Sequence, residues 1–558
     1  MFTMTDNLIN LTEYTLPSKL PKIVHIYPNL FTKENLGFDI FDYEFLFHDP
    51  ETLKLIREGQ TIGCFYIESP GMRNLLKQLQ VDTFEMLTAA SSIIRPGVAE
   101  SGMMQEFIAR HRDPSRRTYL VPEMEQVLGE TYGVMIYQED VIKVAHYIGG
   151  LSLEEGDLLR RAMSGKMRSH GAMKVLEEKF YDSCRNKKIK ESAAKEIWRQ
   201  IESFAGYAFC KAHSASFALL SFQVAYLKAH YPAEFLASIL SNSGGFYSPA
   251  VYIWEAKRLG LRVRLPSINQ SRFEYLGYHK TILIGFMAVK NFTHESADNI
   301  CAERERNGKF VSLQDFLVRT NIKYEETAML IKCGAMDSFG ELRPNLLRLL
   351  DICFARLKDL YGSYNDLFAD EAIKLIDEVR IKRDYTIEEK CIAEYETFGY
   401  MISRHPLEFF TNLTDQRKII KAADMKHNAG KKVRMMGWYM TSKRISTKKK
   451  EVMKFLSLED LTGTFEAVIF PGVYSRVAEK TLSMGPYIVD GKVDARDTNN
   501  LIVENLEVLT SKSIKAEFRY DTAEDVYKPN DEGTGEVDFV MNQATAEKMR
   551  TAYLGMAS

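Results

Sequence analysis

The stretch Val433-Arg434-Met435-Met436-Gly437-Trp438-Tyr439-Met440 begins a period-two alternation of apolar and polar residues. The rhythm returns in EVMKFLSLED (451–460), FEAVIF (465–470), YIVDGKV (487–493) and LIVENLEVL (501–509). Successive side chains of a strand point to opposite faces, so each run has one apolar face to bury. Five short strands separated by glycine and charged turns predict a small closed all-β barrel over residues 429–510. Beyond it, residues 511–558 are rich in Asp, Glu, Gly and Thr and read as an acidic, loosely ordered tail.

Upstream the rhythm is helical. Residues 1–48 are weakly patterned and receive no assignment, and 49–247 read as mostly helical. Ser152-Leu153-Glu154-Glu155 is a capping box that opens a helix through Leu158-Leu159-Arg160-Arg161-Ala162-Met163. Glu191 to Phe204 forms a further helix with Trp198 and Ile201 on one face. Ser214 or Ser216 is placed to cap the next helix, FALLSFQVAYLKAHY, which is apolar nearly all round and is expected to be buried until Tyr231-Pro232 interrupts it. Residues 248–345 mix short strands, TILIGFMAV among them, with helices, and 346–428 read as a charged helical linker.

At 558 residues the chain has room for several domains, and its 45% hydrophobic and 27% charged residues are an ordinary globular balance. No run approaches eighteen apolar residues, so no membrane partner is expected, and the first residues lack a secretory pattern. The seven cysteines are scattered with no CxxC pair, which predicts neither a zinc ribbon nor a disulfide framework and makes the cytoplasm the expected compartment. Charge is informative by position. Residues 157–213 hold thirteen Lys/Arg against seven acids, and 431–450 hold eight Lys/Arg and no acid, although the whole chain is at −2. Two basic islands on an acidic remainder suit contact with a polyanion, while solvated surface remains the plain alternative.

Ordered blocks then carry a family resemblance. They are Gly63-Cys64-Phe65-Tyr66-Ile67-Glu68-Ser69-Pro70-Gly71-Met72, Thr131-Tyr132-Gly133 with Gln138-Glu139, Leu158 to Met163, and Phe204-Ala205-Gly206-Tyr207-Ala208-Phe209-Cys210-Lys211-Ala212-His213-Ser214. Leu330 to Asp337, Glu396-Thr397-Phe398-Gly399-Tyr400, His405-Pro406-Leu407 and Phe455 to Gly463 follow in order. Together they resemble the bacterial DNA polymerase III alpha subunit, a family C DNA polymerase, over roughly residues 49–510. The resemblance implies a multidomain chain: an α-helical fingers domain (49–247), a helix-hairpin-helix-like region (248–345), a helical linker and an OB-fold barrel. Gly244-Gly245-Phe246-Tyr247-Ser248-Pro249 is similar to the error-prone branch of that family.

The resemblance implies that Arg160 and Arg161 contact the triphosphate of an incoming deoxynucleoside triphosphate. A planar guanidinium binds two phosphate oxygens at once, and neighbouring helix residues diverge by about 100°, so one can face a ligand while the other braces it. An ordinary surface salt-bridge pair is the alternative. Lys211, His213 and Ser214 are expected just before the buried helix, whose N-terminal N–H groups favour phosphate; an N-cap with a core histidine is the alternative. Where the family has Asn before the Lys, this chain has Cys210, which removes a hydrogen-bonding amide. In the barrel, Lys443, Arg444, Lys448, Lys449 and Lys450 are expected in the loop between the first two strands, with Trp438 and Tyr439 stacking on bases of single-stranded DNA. Phe455 is a third stacking candidate; the alternative is that these aromatics form half of the barrel core, and for Phe455 that alternative is the one favoured.

Mg²⁺ enters only through the family's palm aspartates, which precede the fingers and are not expected in this chain. Asp39, Asp42 and Glu44 form the one early acidic cluster and are not assigned to catalysis, so no catalytic residue is expected here. The helix-hairpin-helix hairpin reads Asn291-Phe292-Thr293 in place of glycines, and its phosphate contact is expected to be weak. Leu367 and Phe368 stand where the family carries a sliding-clamp motif, though Tyr364 replaces its Gln and a plain amphipathic helix fits as well. Three readings follow. One is a DNA- and nucleotide-holding polymerase module that works with a palm-containing chain on primer-template. Another is a non-catalytic DNA- or replisome-binding protein. The last is an intact nucleotidyltransferase with substitute carboxylates.

Overall fold

A computed structural model describes residues 39–94, 102–163, 170–203, 210–359, 381–410, 418–447 and 449–509. The chain divides into two units at Tyr231/Pro232, earlier than the boundary after Tyr247 read from the sequence. The break falls where Pro232 follows a long helix and opens another.

The described part of the first unit is helical. Its opening helices start on polar caps that accept backbone N–H bonds: Asp42 before α1 (Tyr43–Phe47), Asp49 before α2 (Pro50–Arg57), Ser69 before α3 (Pro70–Leu79) and Thr83 before α4 (Phe84–Ile93). Pro50 and Pro70 sit in first turns, where a missing N–H costs nothing. Next come α5 (Met103–Arg112), α6 (Glu123–Leu128) and α7 (Gln138–Lys143), which runs on into a π-helical turn at Val144–Ile148. The apolar run before α7 is buried but joins no strand. Ser152 and Glu155 exchange the two bonds of the expected capping box at the start of α8 (Leu153–Met163). α9 (His170–Asn186) and α10 (Glu191–Ser203) follow, with Trp198 and Ile201 buried on one face as the spacing requires.

The last helix of this unit, α11 (Lys211–His230), packs against α1, α2 and α4 and buries Ala218, Phe222, Val224 and Leu227. It begins earlier than the sequence suggested. Neither Ser214 nor Ser216 caps it; both lie inside the helix, and Cys210 holds the cap position without a side-chain bond. α11 also anchors the loop that carries the first family motif. Lys228, 2% exposed, donates from Nζ to the carbonyls of Gln60 (2.6 Å) and Ile62 (2.8 Å), and the Ser221 hydroxyl donates to the Phe65 carbonyl (3.1 Å).

In the second unit, α12 (Pro232–Ser241) and α13 (Pro249–Arg258) lead into a three-stranded sheet of order β1–β3–β2. β1 (Arg262–Arg264) lies parallel to β3 (Thr281–Leu283), and β2 (Leu276–Tyr278) lies antiparallel to it. Only Thr281–Leu283 of the expected TILIGFMAV strand is extended, because Phe286–Ala288 turns as a 3-10 helix. Gly277 lets β2 lie against α12: a Cβ there would stand 2.4 Å from the Ala233 carbonyl oxygen. Four helices make the hairpin region: α14 (His294–Asn307), α15 (Leu313–Thr320), α16 (Tyr324–Lys332) and α17 (Arg343–Asp359). α18 (Ile387–Phe398) starts on a Thr386/Glu389 capping box and stops at Gly399, whose φ of +86° suits glycine.

The barrel closes as the sequence predicted. After the short β4 (Ile419–Ile420), the strands β5 (Lys432–Ser446), β6 (Val452–Glu459), β7 (Thr464–Ile469), β9 (Asn500–Val508) and β8 (Tyr487–Val493) pair in that order, and β8 pairs back onto β5. This five-stranded OB-like closure leaves no open edge among these strands. α19 (Pro471–Val477) lies between β7 and β8. Met435, Leu456, Leu458, Phe465, Tyr487, Val489, Leu501 and Leu506 fill the interior. Gly437 keeps the wall thin beside Leu458 and Phe465, since a Cβ would come within 2.8 Å of the Leu458 Cβ.

Replacing Lys228 by Met keeps the apolar stem and removes the donor to two loop carbonyls. Unfolding by urea is expected to show a loss of about 2–3 kcal/mol. An unchanged midpoint would mean that the Gln60–Ile62 carbonyls find other donors.

Candidate nucleotide and nucleic-acid interface

The cationic site of the first unit is assembled on the first turn of α7. Asp140, 4% exposed, accepts the N–H groups of Ile136 and Tyr137 on a single oxygen, each at 2.9 Å. This fixes the turn on which Gln138 and Glu139 begin the helix. Burial pushes the Asp140 carboxyl up to about 6 against the lowering effect of those two N–H bonds.

Gln138 accepts a bond from Arg160 Nη1 at 3.3 Å. Glu139 receives the backbone N–H of Lys211 on both oxygens, at 3.1 and 2.9 Å, and so caps α11 from a distant part of the chain. Adjacent residues of α7 therefore tie Arg160 and the start of α11 to one place. On α8, Asp157 lies three and four residues before the arginines. Its Oδ1 meets Arg160 at 2.7 Å and its Oδ2 meets Arg161 at 2.7 Å. The Arg160 hydrogen bond, foremost, holds the Asp157 carboxyl below its ordinary range despite slight desolvation. Arg160 is 31% exposed and braced on both sides, whereas Arg161 is 63% exposed and faces solvent more fully.

Lys211, His213 and Ser214 lie in the first turn of α11, not ahead of it. Lys211 Nζ pairs with Glu130 at 2.5 Å and lies 5.4 Å above the Tyr137 ring. His213 packs its ring against Phe217 at 4.4 Å. Ser214 is fully buried and its hydroxyl pairs with that of Ser92 at 2.7 Å, so it faces the core and leaves the nucleotide-binding set. Arg160, Arg161 and Lys211 remain as its surface cations.

On the barrel, Lys443 and Arg444 are part of strand β5, paired with Phe455 and Lys454 of β6, and not in the loop expected for them. β5 runs further than its apolar alternation because its outer end is a two-stranded ribbon with β6. Lys449 and Lys450 do occupy the turn, with Lys450 at a φ of +61°; Lys448 lies outside the described residues, as do Leu367 and Phe368. Trp438 packs against Leu407, Phe410, Met436, Ile488 and Leu509, and Tyr439 packs on the barrel core with its hydroxyl beside Ser442 at 3.2 Å. Both expected stacking aromatics therefore share in packing while staying partly exposed. Phe455 reverses its expectation: it is half-buried, alternates with the core residues Leu456 and Leu458, and pairs across the strand with Lys443. An aromatic beside a cation on an outer strand face is the arrangement that holds a base and its phosphate.

The early acids have structural uses. Asp42 caps α1 through the Phe45 N–H, Asp39 accepts the Phe41 N–H, and Glu44 pairs with His48 at 3.6 Å. Among the described residues, no group of three His, Cys, Asp or Glu side chains is placed to hold a metal ion. Among the described residues, none is therefore assigned to the implied Mg²⁺.

The described residues thus comprise a helical unit with a cation cluster, a further helical region and a five-stranded OB-like barrel. Residues 22–188 match the bacterial DNA polymerase III alpha subunit finger domain, and residues 260–346 match a helix-hairpin-helix motif. The DNA polymerase III subunit alpha of Staphylococcus aureus (strain MRSA252) is 31% identical over 541 residues, covering 93% of this chain and 49% of the relative. That of Aquifex aeolicus (strain VF5) is 31% identical over 495 residues, covering 87% of this chain and 41% of the relative. The chain is thus similar to DNA polymerase III alpha subunits over nearly all of its length, with one match to their finger domain and one to a helix-hairpin-helix motif. It spans about half the length of these relatives or less.

The raised Asp140 carboxyl predicts a pH dependence. Its proton is held more tightly in the folded chain than in the unfolded one, so its favourable contribution is complete below about pH 4. That contribution fades as pH rises to about 6. Asn in its place keeps an oxygen for both N–H groups and carries no charge. Thermal melts of Asp140→Asn relative to wild type are expected to improve between pH 4.5 and 7.5 by on the order of 1–3 kcal/mol. A pH-independent difference would show that Asp140 is ionised throughout.

Proposed function

We propose that this chain holds the incoming deoxynucleoside triphosphate and the DNA of a family C DNA polymerase in the cytoplasm. The Mg²⁺-binding acids would belong to a palm outside residues 39–509. The observation that carries the reading is the first turn of α7, which ties Arg160 and the start of α11 together through Gln138 and Glu139. Arg161 and Lys211 complete a cationic surface suited to a triphosphate, each countered by an acid of the same chain. Primer-template and single-stranded DNA would reach the barrel through Lys443, Arg444, Lys449, Lys450 and Phe455. A sliding clamp would be met through Leu367 and Phe368.

Primer extension by the purified chain with Mg²⁺ is expected to give no incorporation, while a fluorescent deoxynucleoside triphosphate binds. Arg160→Ala and Arg161→Ala are each expected to weaken that binding by about 5–30-fold, the range of one or two charge-assisted hydrogen bonds. Nucleotide affinity indifferent to both substitutions would remove the fingers from the reading. Robust incorporation abolished by Asp39→Ala would establish substitute carboxylates instead.

For the barrel, binding of a labelled oligothymidine is expected to weaken steeply with salt. Phe455→Ala is expected to cost about 1–3 kcal/mol, the stacking of roughly one base. Lys443→Glu with Arg444→Glu is expected to flatten the salt dependence by about two phosphate contacts. Unchanged binding in both variants would exclude this strand face. A non-catalytic DNA- or replisome-binding protein is the second reading, favoured by the use of Asp39, Asp42 and Glu44 around one helix start. Oligothymidine binding without nucleotide binding would select it.

A further inference from the structure

The first hairpin of the helix-hairpin-helix region runs Val289-Lys290-Asn291-Phe292-Thr293, between the Phe286–Ala288 turn and α14. Such a hairpin grips DNA when its backbone N–H groups, at the positive end of the following helix, are free for a phosphate. Here three of them have partners in the same chain. The Lys290 N–H donates to the Thr397 carbonyl (2.9 Å), that of Phe292 to the Val289 carbonyl (3.2 Å), and that of Thr293 to Glu326 Oε1 (3.1 Å).

Two kinds of negative group hold the hairpin. One is the Glu326 carboxylate, 8% exposed on α16, which also accepts from the Thr293 hydroxyl (3.1 Å) and from the Ser296 hydroxyl (3.0 and 2.9 Å). The other is the C-terminal end of α18. Its Thr397 carbonyl takes the Lys290 N–H, its Tyr395 carbonyl lies 3.4 Å from Lys290 Nζ, and the Tyr395 ring lies 5.7 Å from the same ammonium. Carbonyls at a helix C-terminus carry the negative end of the helix dipole, so they offer oxygen and partial charge much as a phosphate does. Exposed Glu295 and Asp298 on the first turns of α14 add repulsion toward a polyanion.

We propose that this hairpin is a clamp for the chain's own helix α18, closed to DNA phosphate by Glu326. Displacing a buried carboxylate that accepts from a backbone amide and two hydroxyls leaves a buried charge without donors, so an entering phosphate meets a large penalty. The clamp also gives the Glu396-Thr397-Phe398-Gly399-Tyr400 motif a role: it presents the Thr397 carbonyl that the hairpin holds. Duplex DNA is then gripped elsewhere, and the proposal stands whether or not the barrel binds DNA.

Asn291 is exposed at the hairpin tip with a φ of +59°, a conformation that Asp tolerates as Asn does. Asn291→Asp in the full chain puts a negative charge at the tip without reshaping it. Anisotropy titration of a labelled primer-template duplex is expected to match wild type within about twofold, with the same salt slope. A loss of about tenfold or more, with the slope reduced by about one, overturns the proposal. Amide hydrogen exchange without DNA tests the clamp independently of the proposed polymerase role. Slow exchange is expected at Lys290 and Thr293, and fast exchange at both in the wild-type chain overturns the proposal. In Glu326→Ala, Thr293 is expected to become fast and duplex affinity to rise severalfold. A folded Glu326→Ala, judged by helical circular dichroism, that keeps both values at wild type also overturns it. If that variant unfolds, the wild-type exchange and Asn291→Asp decide the question.

Discussion

Asp140 is the fixed point of the first unit: one buried oxygen holding two consecutive backbone N–H groups. Everything cationic nearby is located from the turn it makes. Gln138 steadies Arg160, Glu139 steadies the start of α11, and α11 in turn anchors the Gln60–Ile67 loop through Lys228 and Ser221. A carboxylate suits this position because it takes several N–H bonds at once, and those bonds set its geometry even though burial resists its charge. Freezing a turn in this way removes rotamer freedom from Arg160 before any ligand arrives, which is the entropic advantage of preorganisation.

Much of this was legible in the sequence because the signals were local. The Ser152/Glu155 capping box, the burial of Trp198 and Ile201, and the five alternating strands all rest on spacings shorter than one element, and the structure reproduces each. What escaped was contact between distant segments. Glu139 caps α11 from seventy-two residues upstream, so the helix begins at Lys211, ahead of the local cap candidates Ser214 and Ser216. The packing of the barrel aromatics is hidden for the same reason. Trp438 is covered by the Leu407–Phe410 segment, which no strand pattern announces, while Phe455 lies on the outer face by simple alternation with Leu456 and Leu458. Asp157 is legible in the sequence: three and four residues from Arg160 and Arg161 is the spacing of a helical ion pair.

The acids that counter these cations fall into two physical kinds. Asp157 and Glu130 are partly exposed, and pairs of that sort are worth under about 1 kcal/mol in salt. On the proposed function, a triphosphate offers more charge and a better match to a guanidinium fork and would take over these partners at small cost. Glu326 belongs to the other kind: it is buried among one backbone amide and two hydroxyl donors, and its removal from them is costly. On the proposed reading, a carboxylate is therefore a displaceable placeholder on the first unit and a permanent closure on the hairpin. Solvent access, not charge, decides which surface of this chain stays open to a polyanion.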